Sequence, residues 1–261
     1  FRVESNGDAN MLFVDGGTDS IGIGTNAPNS LWPVHIYNSD AGTDPSWETT
    51  EARNLLLMET GNTEARVTIF GTASATSHGY TFADPGNKSI AGMYYSHNAD
   101  QMTLGSGGIA SIIIDSAGAV TKPVQPAFLV TNGSDPHTNF AIDTTITHTW
   151  GSEAFDQGGD FTSNTFTAPV TGRYQLNFHF YCQAVDSDAT VYSANIVTSN
   201  RTYASAFSST MFDSDGTMVM PISVLADMDA SDTAYCTFRQ DGGTQQSDVV
   251  TQSTFSGFLA C

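Results

Sequence analysis

Arg173-Tyr174-Gln175-Leu176-Asn177-Phe178-His179-Phe180-Tyr181-Cys182 is the stretch whose reading decides the fold. Tyr174, Leu176, Phe178, Phe180 and Cys182 occupy every second position, with Arg173, Gln175, Asn177 and His179 between them. A period of two places alternate side chains on opposite faces of a strand, one face apolar and one polar. The pattern recurs at Tyr192, Ala194 and Ile196, at Met218, Met220, Ile222 and Val224, and at Ala234, Cys236 and Phe238. Polar turns join these segments and nothing between them reads as a crossover helix, so the strands are expected to run antiparallel in a sandwich.

Upstream of Pro123 the chain is beaded. Short apolar runs at 11–14, 34–37, 54–58, 66–70, 79–82, 90–95, 102–104 and 111–115 alternate with Gly, Asn, Asp and Pro, the punctuation of short strands. Helical character is confined to Trp47–Glu59, where a turn or two could form. One weak repeat is visible: Phe13-Val14-Asp15-Gly16-Gly17 through Ile21-Gly22-Ile23-Gly24-Thr25 to Pro28 is echoed by Ile113-Ile114-Asp115-Ser116-Ala117-Gly118 through Val120 to Pro123. Each copy reads as strand, Asp-led turn, strand, Pro. A module so small has no core of its own and must bury its apolar residues against copies of itself, along the chain or in neighbouring chains.

The chain has 261 residues, with 8 Lys+Arg against 27 Asp+Glu and a formal net charge of −19. Clustered cations are what neutralise phosphates, so nucleic acid is excluded as a partner and acidic membrane surfaces are disfavoured. No apolar run reaches the ~18 residues of a membrane helix, so membrane insertion is not expected. Asp supplies 21 of the acids and Glu six, a bias toward turns rather than helices. The opening at Phe1-Arg2-Val3-Glu4 reads as a processed chain or a fragment. Cys182, Cys236 and Cys261 lie in apolar phases of their strands, which predicts buried, inert thiols, a Cys182–Cys236 bridge being the alternative.

Two resemblances sharpen this reading. Residues 1–122, from the Asp15-to-Pro28 phrase through Asn87–Tyr95 to Leu104-Gly105, resemble the strand-and-turn modules of phage tail-fibre and tail-spike shafts. Phe166-Thr167-Ala168-Pro169-Val170-Thr171-Gly172-Arg173-Tyr174, with Phe255-Ser256-Gly257-Phe258-Leu259 at the end, resembles the complement C1q-like globular head of the tumour-necrosis-factor superfamily. Pro126–Val130 fits its first strand, and Leu225 through Ser231-Asp232 to Tyr235 fits a later strand entry; Asn164 and Ser231 stand where that family usually has Gly. The resemblance implies a ten-stranded antiparallel jelly roll that assembles as a homotrimer, its core and trimer signature being Phe166, Pro169, Gly172, Tyr174, Phe178, Phe255, Gly257, Phe258 and Leu259. The last strand supports it: Phe255 and Leu259 point one way and Phe258 the other, so apolar groups occupy both faces. Burying each contributes roughly 1.5–3 kcal/mol, multiplied by a threefold interface.

The expected organisation is all-β: a shaft-like segment over 1–30, an intermediate β domain over 31–122 and a trimeric head over 123–261. Candidate sites are few. The G-x-G-x-x-A phrases at 22–27 and 105–110 open no helix, so dinucleotide binding is not expected. Asp213, Asp215, Asp227 and Asp229 could present hard oxygens to calcium, although no EF-hand spacing is present and solvated turns are the plainer reading. Calcium would relieve the repulsion of a trimer carrying 3 × −19 = −57; no cofactor is required. The six histidines follow no metal-binding spacing, and no nucleophile elbow appears. Trp150, Tyr192, Tyr203 and Phe207 are candidate sugar-stacking aromatics.

From these features the chain is expected to be the distal part of a virion fibre or spike. It would be extracellular and non-enzymatic, joined to other fibre or tail proteins, and would attach through its head to a host-surface glycan or protein. The alternatives are a trimerisation clamp or tail decoration without receptor binding, and a polysaccharide-cleaving fibre enzyme using paired carboxylates.

Overall fold

The structure is a computed structural model describing residues 1–4, 7, 11–17, 19–28, 34–37, 56–59, 66–70, 72, 77–134, 136–211 and 214–261. The chain divides into two compact units, Phe1–Phe70 and Gly71–Cys261. Among the described residues the only helical element is one 3-10 turn at Ser209–Met211.

The first unit holds one sheet ordered β1 (Arg2–Val3), β2 (Leu12–Asp15), β3 (Ser20–Ile23), β4 (Val34–Tyr37) and β5 (Leu56–Glu59). The β2–β3 hairpin turns on Asp15, whose Oδ1 accepts the Gly17 N–H at 2.9 Å. β4 and β5, which fall in the expected 31–122 segment, join β3 in parallel and so continue the sheet begun in 1–30. Leu56–Glu59 is therefore strand and not the end of a helix; Trp47–Asn54, the rest of that helical reading, lies outside the described residues. Arg66–Phe70, expected as a strand, is exposed and joins no ladder. Ile21 and Ile23 are exposed, while Ser20 and Gly22 face inward, so the apolar phase of β3 points to the outside.

The second unit begins with an antiparallel sheet ordered β10-β9-β8-β7-β6, from β6 (His78–Asp84), β7 (Asn87–Ser96), β8 (Gln101–Ser106), β9 (Ile109–Ile114) and β10 (Val120–Thr121). Its β9–β10 hairpin repeats the Asp-led turn: Asp115 Oδ1 accepts the N–H groups of Ala117 and Ala119, each at 2.9 Å.

Residues 127–259 form the sandwich. One sheet is ordered β13 (Ser152–Asp156), β11 (Ala127–Thr131), β22 (Thr254–Leu259), β16 (Gly172–Val185) and β19 (Gly216–Met228), with β21 (Asp248–Val249) also on β16. The other is ordered β14 (Phe161–Thr162), β15 (Thr165–Thr167), β20 (Thr233–Asp241), β17 (Val191–Thr198) and β18 (Thr202–Phe207), with β12 (Ile146–Thr147) on β20. The first and last strands are hydrogen-bonded neighbours, β11 with β22, the closure typical of a jelly roll. The ten strands expected appear as twelve, three of them two residues long.

The sheets meet on rings. Phe128 stacks on Phe166 at 4.8 Å and on Phe161 at 5.1 Å and meets Phe255 edge-on at 5.0 Å. Every apolar residue of the β16 alternation, Tyr174 through Cys182, is buried, and at roughly 1.5–3 kcal/mol per fully buried side chain this row drives closure of the sandwich. Tyr174 also fixes the turn before its strand by donating its hydroxyl to the Val170 carbonyl at 2.7 Å. Asn164 and Ser231 adopt φ of 64° and 78°, the left-handed backbone for which glycine is the usual choice; Asn164 also accepts the Trp150 N–H at 2.7 Å.

Gly257 is fixed by close approach: a Cβ there would lie 2.7 Å from both Leu176 Cδ2 and Phe128 Cε1. Gly257→Ala is expected to destabilise the sandwich by about 1–3 kcal/mol, because both neighbours are held in the packed core. Urea unfolding checks this, an unchanged midpoint being the contrary outcome.

Candidate functional site

The alternation that buries one face of β16 turns Arg173, Gln175, Asn177, His179 and Tyr181 outward. Their register partners on β19 are Asp227, Leu225, Ser223, Pro221 and Val219, and on the other side Phe258 of β22 lies opposite Gln175. Leu225 is 57% exposed, Phe258 48% and Val219 42%, which leaves three large apolar side chains on the outer face of a sheet whose inner face is already saturated. Phe155, on the neighbouring β13, adds a fourth.

Between the apolar groups runs a preformed polar strip. Gln175 Nε2 donates to Ser223 Oγ at 2.9 Å and to Asn177 Oδ1 at 3.2 Å, and Ser223 Oγ donates to Asn177 Oδ1 at 2.8 Å. Beyond the Arg173–Asp227 register pair, the outward positions of β16, β19 and β22 include no Asp, Glu, Lys or Arg. In a chain of net charge −19, this charge-free strip is where another copy can approach without like-charge contact.

The expected signature residues sort by side. Phe166, Tyr174, Phe178, Phe255 and Gly257 are buried and belong to the core; Leu259 is partly buried against it. Pro169 and Gly172 shape the turn into β16, where a Cβ on Gly172 would lie 2.6 Å from Leu259 Cδ1. Phe258 alone of the set faces outward as a large apolar side chain. Val219 is not singled out in the sequence and Leu225 only as a strand entry, although both fall in the outward phase of the Met218–Val224 alternation and could have been found there.

Of the sugar-stacking candidates, Tyr192 is fully buried, its hydroxyl accepting the Asp186 N–H at 2.8 Å and paired with Ser247 Oγ at 2.7 Å, so it offers no ring to a ligand. Trp150, Tyr203 and Phe207 are partly buried and pack against the core.

The candidate calcium ligands do not converge. Asp215 precedes β19, whereas Asp227 lies near the strand's far end and Asp229 just beyond it; at ~3.3 Å per residue the two groups are roughly 40 Å apart. Asp215 accepts from Ser187 N–H and Gln246 Nε2, and the Gln246 bond leads the effects holding its carboxyl below the usual range. Asp227 pairs with Arg201 at 2.9 Å. Asp213 lies outside the described residues, and among the described residues no group of three or more His, Cys, Asp or Glu is placed to hold an ion. The carboxylates of Asp156 and Asp160 share one turn, where Asp156 spends both oxygens on the N–H groups of Asp160 and Phe161. Burial, then the Asp156 charge, raises the Asp160 pKa.

Cys182 and Cys236 are free buried thiols. Burial, followed by the Asp248 charge, pushes Cys182 up to about 12, and burial raises Cys236 well above its usual value. Cys261, expected to be buried, is exposed, because the chain has left the β22 alternation by that point.

Two histidines that the sequence left scattered come together. His148 is fully buried, lies flat on Trp150 with ring centroids 3.8 Å apart, and meets His137 edge-on at 4.9 Å. Its Nδ1 is 2.9 Å from the Thr149 carbonyl oxygen, and its buried Nε2 has no hydrogen-bond partner. A second proton would therefore sit on a desolvated nitrogen without an acceptor. Burial first, then the His137 charge, lowers the His148 pKa to about 3 against an opposing bond to Thr149.

The C1q domain family model matches residues 127–260. Among solved structures, the globular domain of zebrafish complement 1qA protein is similar at 18% identity, with 52% of this chain and 98% of that chain covered and a TM-score of 0.39. No curated protein matches the chain.

Because His148 titrates near 3 in the folded chain and near 6.5 when unfolded, its contribution is intact above pH 6.5 and is lost as pH falls toward 3. Between pH 7 and pH 5 that loss amounts to about 2 kcal/mol. His148→Phe, which keeps a ring on Trp150, is expected to flatten this part of the pH profile, as followed by urea midpoints; an unchanged slope would rule His148 out as its source.

Proposed function

The chain belongs to the C1q domain family, and from that premise we propose that it is a self-associating recognition protein whose sandwich joins two further copies through the outer face of β16, β19 and β22. C1q domains commonly form trimers and often serve as recognition or structural modules. The observation that carries the reading is the uncharged outward strip of Gln175, Asn177 and Ser223 flanked by Phe258, Leu225 and Val219 in a strongly acidic chain. Such a face supplies apolar area to bury, polar groups already satisfied among themselves, and no repulsion. The function is binding, without a catalytic step: three copies turn a weak surface contact into avidity.

We extend this reading, on the resemblance of residues 1–122 to fibre shafts, to an extracellular place at the distal end of a virion fibre. Fibre or tail proteins are then its neighbours and a host-surface glycan or protein its ligand. Immunogold labelling of virions tests that placement. A second reading, a trimerisation clamp without receptor contact, is favoured by the packing of Trp150, Tyr203 and Phe207 against the core, which withdraws aromatic surface from a ligand.

Sedimentation of the full chain at micromolar concentration is expected to show a trimer. Phe258→Asp with Leu225→Asp is expected to yield folded single copies, because both positions are exposed in one chain, and to weaken adsorption to host cells by about 100-fold through lost avidity. A folded monomer in the unsubstituted chain would sink the proposal. Intact trimers that never adsorb would instead favour the clamp.

A further inference from the structure

Among the described residues, the sheet formed by β6–β10 has one face that is largely uncovered, the His97 ring packing edge-on against His78 and Tyr95 at one end of it. Directly opposed residues on neighbouring strands point to the same side. The register puts Tyr80, Met93, Leu104 and Ile112 in one row and His78, Tyr95, Met102, Ile114 and Val120 in the next. Tyr80 is 47% exposed, Met93 40%, Leu104 39% and Val120 60%, and neither row includes Asp, Glu, Lys or Arg. The opposite face mixes small and polar residues with Tyr94 and Ile113, which lie on either side of Thr103. It carries Gly79, Thr81, Gly92, Thr103 and Gly105, and the Tyr94 ring folds over Gly92, so close that a Cβ there would lie 2.6 Å from its Cζ. The Tyr94 hydroxyl donates to the Ala91 carbonyl at 3.1 Å.

The apolar face is continuous with the association face of the sandwich. Only Lys122–Pro126 separate β10 from β11, and these residues are tied down: Gln157 Nε2 donates to the carbonyls of Lys122 at 2.9 Å and Gln125 at 2.7 Å, and Gln125 Nε2 donates to the Leu259 carbonyl at 2.5 Å. Val120, the end of the apolar row, lines the same depression as Phe258. Copies joined at Phe258 therefore bring their β6–β10 sheets together across a tether of five residues, where effective concentration far exceeds that of any free partner.

We infer that the occupant of this face is the same face of the other copies: the β6–β10 sheets form a second, uncharged self-association layer beneath the sandwich, with Tyr80, Met93, Leu104 and Ile112 as its core. The inference rests on the association proposed for the sandwich and assigns a partner to a sheet outside the family-matched residues 127–260.

The test uses the full chain carrying the photo-crosslinking residue p-benzoylphenylalanine at Leu104 or, on the opposite face, at Thr103. Irradiation is expected to give covalent dimers and trimers from position 104 and single chains from 103. A sedimenting trimer with no interchain product from position 104 overturns this inference and leaves the sandwich reading standing. Met93→Asp with Leu104→Asp is expected to weaken association at least about a hundredfold, two buried apolar side chains being lost per copy. A trimer that survives Phe258→Asp with Leu225→Asp but not this pair overturns the sandwich reading alone, and a monomeric unsubstituted chain overturns both.

Discussion

The sandwich depends on a ring cluster that both sheets share. Phe128 and Phe255, from the first and last strands of one sheet, meet Phe161 and Phe166 from the other. Gly257 allows β22 to press Leu176 and Phe128 together, which no residue with a Cβ permits without displacement. This packing pins the carboxyl end of the chain between β11 and β16, and every outward residue of the sheet takes its place as a consequence. Phe258 is exposed because Phe255, Gly257 and Leu259 take the inner phase.

With the inner phase saturated, the outer phase is free to serve association, and its chemistry suits that use. The chain carries 27 acids, yet the outer positions of β16, β19 and β22 past Arg173 and Asp227 are uncharged. The same separation holds in β6–β10, where the charged residues stay off the two apolar rows. Charge is kept at turns, where Asp15, Asp84, Asp115 and Asp156 accept backbone N–H groups. The faces proposed to meet stay neutral while the net charge of −19 is carried elsewhere on the chain.

His148 shows the cost of the same packing. Stacked on Trp150 and beneath Phe178 and Phe238, it fills space well, but its Nε2 is left without an acceptor. The ring contributes as a neutral group only, which links the sandwich's stability to pH through a residue far in sequence from the strands it supports.

Alternation along Arg173–Cys182 by itself determined a half-buried strand, because a period of two leaves one arrangement that hides Tyr174, Leu176, Phe178 and Phe180 together. The sandwich followed from the repetition of that pattern, and the Asp-led turns at Asp15 and Asp115 from local hydrogen bonding, which needs no distant partner. Leu56–Glu59 reads locally both as the end of a helical stretch and as part of the short apolar run 54–58, and parallel pairing with β4 decides for strand. Leu225 and Val219 take the outward phase of the Met218–Val224 alternation, and Tyr192 the buried phase it shares with Ala194 and Ile196. The wide separation of Asp215 from Asp227 was decided by how far β19 extends, which no local pattern encodes. Only the packed fold could set His137 beside His148, since the bridge from His137 to Val249 and the pairing of His148 with Cys236 join segments 112 and 88 residues apart.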